Sequence, residues 1–350
     1  DISDTDLVND AFWQKPVGSG PCIFDSMESG VSIEFKANKD YYLGAPDFDR
    51  LVFKKVQSSN LLSGLMSGDI DVLSGNSQIP LADWEAAKNT QGIVAKSVPT
   101  FAYQYMAMNT SRDYLTEDVR HAISLAINRQ VIVDQLLQGE ARIAIGPLAE
   151  DHPYFDEKLL PIEYDPEKAA RVFEAAGCTK DADGYWCRDG ERIGFTINAS
   201  STDQVRIDMA QIAAQQLQAV GLDVKANVPA EGIDWGGQEC CIIGWGSPFD
   251  ADDHTYKVFG TDKGANYSGY SNPLVDEYLT KARETDDPSE RAEYYAQFQN
   301  ELAKTPAYTF FCYIDAMYVV NDHIKGISSD TVLGHHGVGI FWNVCDWTIE

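Results

Sequence analysis

The sequence predicts an α/β fold of two lobes, and three observations carry that expectation. Residues 195–228 read as strand, helix and strand in that order, the pattern of an α/β lobe. Two long extended runs, near residues 105 and 315, bracket this block, as they would if the chain passed out to one lobe and back. The 350 residues, 44% of them hydrophobic, suffice for two cores.

The elements follow in order. Val31 to Ala37 alternates apolar and polar residues as a half-buried strand does, and Arg50 to Val56 does much the same. Asn60 to Met66 reads as a short helix closed by Gly68, with a strand from Ile70 to Leu73 behind it. One extended run then spans Val94 to Asn109. Thr116 is placed to cap a helix carrying Val119, Ile123 and Ile127 on one face, and a second helix runs from Arg129 to Leu137, stopping at Gly139. Asp165-Pro166 opens another, which ends at Gly177. Phe195–Ala199 and Leu222–Val228 are strands flanking the helix 203–220, and Cys240 to Gly244 is a wholly apolar strand suited to a sheet centre. Two helices, 273–285 and 289–303, precede the second long strand, Phe310 to Val320.

Composition removes several functions. A formal net charge of −27 repels nucleic-acid phosphates and anionic lipid. No apolar run approaches the length of a membrane span; the longest, Tyr308 to Val320, is interrupted by Asp315. Residues 1–10 are acidic and polar, unlike a signal peptide, which a secreted protein would in any case have lost. No G-x-S-x-G, H-E-x-x-H or P-loop occurs, so an enzyme is not indicated and no cofactor is expected. Asp181-Ala182-Asp183-Gly184 has the start of a calcium loop, but Gly190 stands where the bidentate glutamate belongs. Asp250, Asp252, Asp253 and His254 offer carboxylates and an imidazole, yet acids also favour a helix start. His335-His336 lies in a glycine-rich loop, either lining a cleft or forming a surface turn. Of seven cysteines, Cys178 and Cys187 flank a turn-rich stretch and could bridge a hairpin; two small buried thiols are the alternative.

Seven segments in register resemble the family 5 extracellular solute-binding proteins, the peptide and nickel carriers of ABC importers. They are Pro16-Val17-Gly18-Ser19-Gly20-Pro21, Asn38 to Pro46, and Ser67-Gly68-Asp69-Ile70-Asp71-Val72. Val119 to Ile123 with Ala126 to Arg129, Tyr164 to Ala169 closing at Ala176-Gly177, Asn266 to Pro273 with Asp276, and Ile324-Lys325-Gly326 complete the set. The resemblance implies a fold like that of class II periplasmic binding proteins, with mixed sheets joined by crossing strands. Residues 1–109 and 319–350 would then form a partial first lobe, and 110–318 the second ligand-contacting lobe. Family members open with a longer amino-terminal segment, whereas here the proline–glycine turn comes at Pro16, so the first lobe looks incomplete.

The resemblance further implies an extracytoplasmic monomer that hands its solute to ABC permease subunits, lipid-anchored in its full-length form. A sensory surface lobe without transport would share the fold; a secreted hydrolase is the remaining alternative. The family's ligand-facing loop is Gly244-Trp245-Gly246-Ser247-Pro248-Phe249-Asp250 here, which makes Trp245, Ser247, Phe249 and Asp250 candidate ligand residues. Tyr103, Tyr105, Tyr267 and Tyr270 are candidates for its aromatic surroundings, with plain packing as the alternative. Peptide carriers place an aspartate three residues after the tryptophan, against the peptide's amino group; Pro248 stands there. The loop resembles the W-G-x-P-Y-D form of nickel-type carriers. The expected ligand is therefore one without an obligatory free amino terminus, a modified peptide or a metal inside a small chelate, held in an interlobe cleft.

Overall fold

The structure is a computed structural model that describes residues 10–57, 60–74, 79, 81–246, 250–304, 306–328 and 339–350. Its described residues fall into two compact units, one drawn from residues 10–98, 316–328 and 339–350, the other from residues 99–315. The boundaries fall earlier than the 109/110 and 318/319 expected from sequence. Each long run is in fact two strands. The first breaks around Pro99, which has no N–H to give a ladder, and the second breaks at Asp315.

The smaller unit begins with three antiparallel strands, β1 (Cys22–Glu28), β2 (Ser32–Ala37) and β3 (Arg50–Lys54). Helix α1 (Leu61–Ser67) ends at Gly68, whose φ of 78° closes the helix without a Cβ penalty. Strand β4 (Val72–Ser74), helix α2 (Leu81–Lys88) and strand β5 (Ile93–Val98) follow. Leu65, Leu73, Trp84 and Ala87 form the core of this part.

The chain then enters the larger unit through β6 (Ala102–Met108) and α3 (Glu117–Leu125). The expected helix from Arg129 to Leu137 is only a single turn, Arg129–Val131, passing into a π-helical turn, Ile132–Leu136. Next come β7 (Ala141–Ile143), α4 (Pro166–Ala175), the small strands β8 (Thr179–Lys180), β9 (Trp186–Arg188) and β10 (Glu191–Arg192), then β11 (Gly194–Asn198), α5 (Gln204–Ala219) and β12 (Asp223–Asn227). Strand β13 (Cys240–Gly246) leads to α6 (Ala251–Phe259), α7 (Pro273–Glu284), α8 (Pro288–Lys304) and β14 (Tyr308–Ile314). The return to the smaller unit is β15 (Ala316–Asn321), which pairs with both β4 and β5; β16 (Ile324–Lys325) and β17 (Thr348–Ile349) close the chain.

The larger unit is organised by a six-stranded mixed sheet, ordered β12-β11-β13-β6-β14-β7. β11 runs parallel to β12 and β13, while β6 is antiparallel to β13 and β14. Side-chain alternation sends Met106, Met108, Cys240 and Ile242 to one face, against α3, α4 and α5. Tyr103, Tyr105, Cys241 and Ile243 go to the other, against α6, α7 and α8. Because both faces are covered, Cys240–Gly246 reads as an unbroken apolar run. Each large side chain so buried contributes about 1.5–3 kcal/mol.

Arg129 is buried against this sheet, and among the described residues no carboxylate pairs with it. Its guanidinium donates to the carbonyls of Phe310 at 2.6 Å, Ser124 at 3.2 Å, Ile127 at 3.3 Å and Ile162 at 3.1 Å. Burial lowers its pKa to about 10, so it stays charged at neutral pH.

The hairpin disulfide is corrected: Cys178 and Cys187 are both free and buried. Register pairs Cys187 with Thr179, so Cys178 is one residue out of line, and successive residues of a strand point to opposite faces. Cys178 belongs to the main core on the α3–α5 side, and Cys187 turns its thiol to the Tyr185 carbonyl at 3.6 Å. The neighbouring Asp181 to Gly184 segment is a turn held by Arg192, which binds both Asp181 and Asp183, and not a cation loop.

Candidate functional site

β13 delivers Trp245 to its end, where the residue is half-buried at the rim of the aromatic core. Its indole Nε1–H donates to Tyr105 Oη at 3.1 Å, which fixes the plane of the ring. Tyr267 stacks on Trp245, centroids 6.4 Å apart and 21° between planes, and Trp235 packs on Tyr267 at 4.4 Å, tilted by 31°. His254 meets Trp245 at 5.2 Å, and the Lys257 ammonium lies 5.1 Å from the indole centroid. The result is a ladder of rings, Trp235, Tyr267, Trp245 and His254, whose outer member Trp235 is 37% exposed.

Of the four candidate tyrosines, only Tyr267 belongs to that ladder. Tyr103 and Tyr105 are buried in the core, 5.6 Å apart, and Tyr105 acts on the site by holding the Trp245 indole. Tyr270 is also buried, against Tyr308 at 5.9 Å. The segment around it is scaffolding: Asn266 Nδ2 donates to the carbonyls of Gly260 and Tyr270, and Gly269 adopts φ 63°. Ser247 and Phe249, like Pro248 and the His335-His336 pair, lie outside the described residues.

Asp250 sits at the amino end of α6, where its Oδ1 accepts from the Asp252 amide at 2.9 Å and pairs with Arg291 at 2.7 Å. Asp252 pairs with Arg283 at 3.1 Å. Asp253 meets His254 Nε2 at 3.0 Å and Lys257 at 3.6 Å. These acids are thus engaged by separate partners around a helix start. Among the described residues no three His, Cys, Asp or Glu side chains gather into a group able to hold a metal ion.

Sequence reasoning missed three residues that support this end of the sheet. Gln104, on β6 opposite Gly244, accepts a bond from Arg206 Nε at 3.0 Å, and Arg206 also pairs with Asp203 at 3.3 Å. A Cβ on Gly244 would collide with the Gln104 amide, so the glycine there makes room for this network. The usable signal was the run Gly244-Trp245-Gly246 in a strand otherwise without glycine. His152 is the third, 4% exposed, with Nδ1 accepting from the Tyr154 amide at 3.1 Å.

Burial holds the His152 imidazole down at about 4 against an ordinary value of 6.5, partly opposed by Asp151 and Asp250. The folded state therefore binds this proton less readily than the unfolded chain does. Stability from His152 is intact above about pH 6.5 and is lost as pH falls towards 4, by up to about 1.4 kcal/mol per pH unit. Urea denaturation of wild type and His152→Gln across this window should show the variant losing stability less steeply. Parallel curves would refute the assignment.

Comparisons with known proteins identify the family. Residues 2–267 match the model of the bacterial extracellular solute-binding proteins, family 5 Middle. Protein XP55 of Streptomyces lividans is 31% identical over 334 residues, covering 91% of this chain and 59% of that protein. The oligopeptide-binding protein AppA of Bacillus subtilis is 26% identical, covering 89% and 59% respectively. Among solved structures, NikZ from Campylobacter jejuni in complex with Ni(L-His) superposes with a TM-score of 0.88 at 32% identity, over 99% of this chain and 72% of that one. The chain thus spans 59% of the length of these two curated relatives. With a family match over more than half its residues, this chain belongs to the bacterial extracellular solute-binding proteins of family 5.

Proposed function

We propose that this protein is the solute-binding component of an ABC importer, that it works outside the cytoplasm, and that it captures a peptide-like or chelated-metal ligand for delivery to the permease. The observation that supports it best is the ring ladder around Trp245, a pre-formed apolar wall with one fixed polar contact, as binding sites for small ligands have. In this reading the larger unit is the second ligand-contacting lobe. Trp245 and Tyr267 touch the ligand together with Ser247 and Phe249, and Tyr103, Tyr105 and Tyr270 support them from the core. The full-length protein is a lipid-anchored monomer and performs no catalysis.

For the ligand we infer a species without an obligatory free amino terminus, a modified peptide or a metal held in a small organic chelate. Burying an ammonium requires a fixed carboxylate, and Pro248 occupies the place of the usual one. Asp250 is engaged as the α6 cap and by Arg291, and giving up the cap alone would cost about 0.5–2 kcal/mol. The Campylobacter jejuni relative was crystallised with Ni(L-His), which supports the chelate. The Bacillus subtilis oligopeptide-binding relative keeps unmodified peptide as the second reading.

Calorimetry on the full-length protein with nickel–histidine, and with di- to pentapeptides free and N-acetylated, tests this choice. Binding of nickel–histidine, or of acetylated peptides as tightly as free ones, is expected. Tight binding of free peptides that acetylation abolishes would overturn it.

A further inference from the structure

The seven cysteines divide by burial. Cys178, Cys187, Cys240, Cys241 and Cys312 are buried, whereas Cys22 and Cys345 are half-buried, and both of these belong to the smaller unit. Register fixes the side of the first sheet on which Cys22 lies. Cys22 stands opposite Ala37 and Phe24 opposite Phe35, while Phe35 faces Leu51 and Ile33 faces Phe53. Side chains alternate along a strand, so Cys22, Phe24, Phe35 and Phe53 share one face, and Ile23, 51% exposed, points the other way. The rings on the shared face meet edge to face, Phe24 with Phe35 at 6.1 Å and Phe35 with Phe53 at 6.0 Å.

The 3₁₀ segment Gly339–Asp346 packs on this same face, because Phe341 reaches Phe53 at 5.2 Å. Asn343 anchors the segment: its Nδ2 donates to the Gly326 carbonyl at 2.8 Å, and its Oδ1 accepts from the Trp347 indole at 3.1 Å. Cys345 comes just over one turn after Phe341, and two groups at the start of β1 sense it. Burial and then the charge of Cys345 push the Cys22 thiol up. The Tyr41 hydroxyl is raised by desolvation, then by Tyr42, and then by Cys345 and Asp346. Tyr41 sits by β1 because Asn38 ties its turn there, donating its amide to Pro21 at 2.8 Å and its Nδ2 to Gly20 at 3.0 Å. The Cys345 thiol itself reaches Asp346 at 3.8 Å, a weak contact to give up.

We propose that Cys22 and Cys345 form a disulfide that staples the carboxy-terminal segment to β1 across the face carrying Phe24, Phe35 and Phe53. The inference uses the placement outside the cytoplasm proposed above, where such a bond persists. Two S–H bonds break and one S–S bond forms. The two protons and two electrons pass to the disulfide of an extracytoplasmic oxidoreductase, which becomes a dithiol. Shared face and remaining exposure select this pair, since an oxidant meets a half-buried thiol and not a buried one. Cys178 and Cys187 meet neither condition. Among the described residues no third His, Cys, Asp or Glu joins Cys22 and Cys345 in a group able to hold a metal ion.

Peptide mapping of the full-length protein tests the proposal. The protein is reduced, equilibrated in a glutathione buffer as oxidising as the extracytoplasmic space, alkylated, and digested without reductant. Most molecules should yield the Cys22 and Cys345 peptides linked, two hydrogens lighter than their sum. Dithiothreitol should then lower the urea midpoint of the wild type and leave that of Cys22→Ser unchanged. Alkylation of both cysteines in the equilibrated wild type, or linkage of either to a different cysteine, would overturn the proposal. The buffer stands in for the compartment, so the result bears on the pairing and not on the location or the ligand.

Discussion

Replacing Trp245 by alanine is expected to weaken ligand binding by about 2–4 kcal/mol, thirtyfold to nearly a thousandfold in Kd, while the protein stays folded. The indole is half-buried, so part of it stays open to a ligand while Tyr267 and His254 hold it in place. Its loss also leaves Tyr105 Oη without the Trp245 donor, a modest stability cost that circular dichroism and a urea titration would register. Trp245→Phe helps to separate the two contributions, since it keeps an aromatic ring while removing the N–H and part of the indole's contact area. Calorimetry with nickel–histidine should find Trp245→Phe intermediate between wild type and Trp245→Ala. Wild-type affinity in a folded Trp245→Ala protein would remove Trp245 from the site.

The largest effect on stability is expected at Arg129. Methionine there matches the length of the stem but removes the donors that four carbonyls, three of them buried, now share. Leaving buried acceptors unsatisfied costs about 1–3 kcal/mol each before relaxation, and these costs are not additive, so a total loss of about 3–5 kcal/mol is expected. Lysine should rescue little, because an ammonium cannot present a planar fork to four carbonyls on three different segments. The urea midpoint measures this directly; a loss below about 1 kcal/mol would mean that water replaces the guanidinium.

How much of this was legible depended on whether a feature was local. The α4 start at Asp165-Pro166, the α1 stop at Gly68 and the αβ order of β11, α5 and β12 all follow from capping chemistry and periodicity within a few residues. The breaks at Pro99 and Asp315 were harder to read, because apolar runs continue on both sides and only the change of partner strand marks the boundary. At the site, Trp245 stood out between glycines, while the partners of Trp245 come from residues 105, 254, 257 and 267. Such convergence is a property of the folded chain, and no spacing rule announces it. Tyr103 and Tyr105 show the converse: an extended run was expected there, but a strand's alternation says which residues share a face and not whether that face opens to ligand. The Cys178–Cys187 pairing failed for a similar reason, since proximity along a hairpin leaves the side-chain direction open.

The central claim is that this chain binds a solute against Trp245. A crystal structure of the full-length protein grown with nickel–histidine tests it most directly. The account predicts density for the chelate packed against the Trp245 ring, with Tyr267 still stacked behind it. A chelate bound elsewhere with the Trp245 ring left in contact only with protein, or an ordered free peptide amine paired with Asp250, would contradict it.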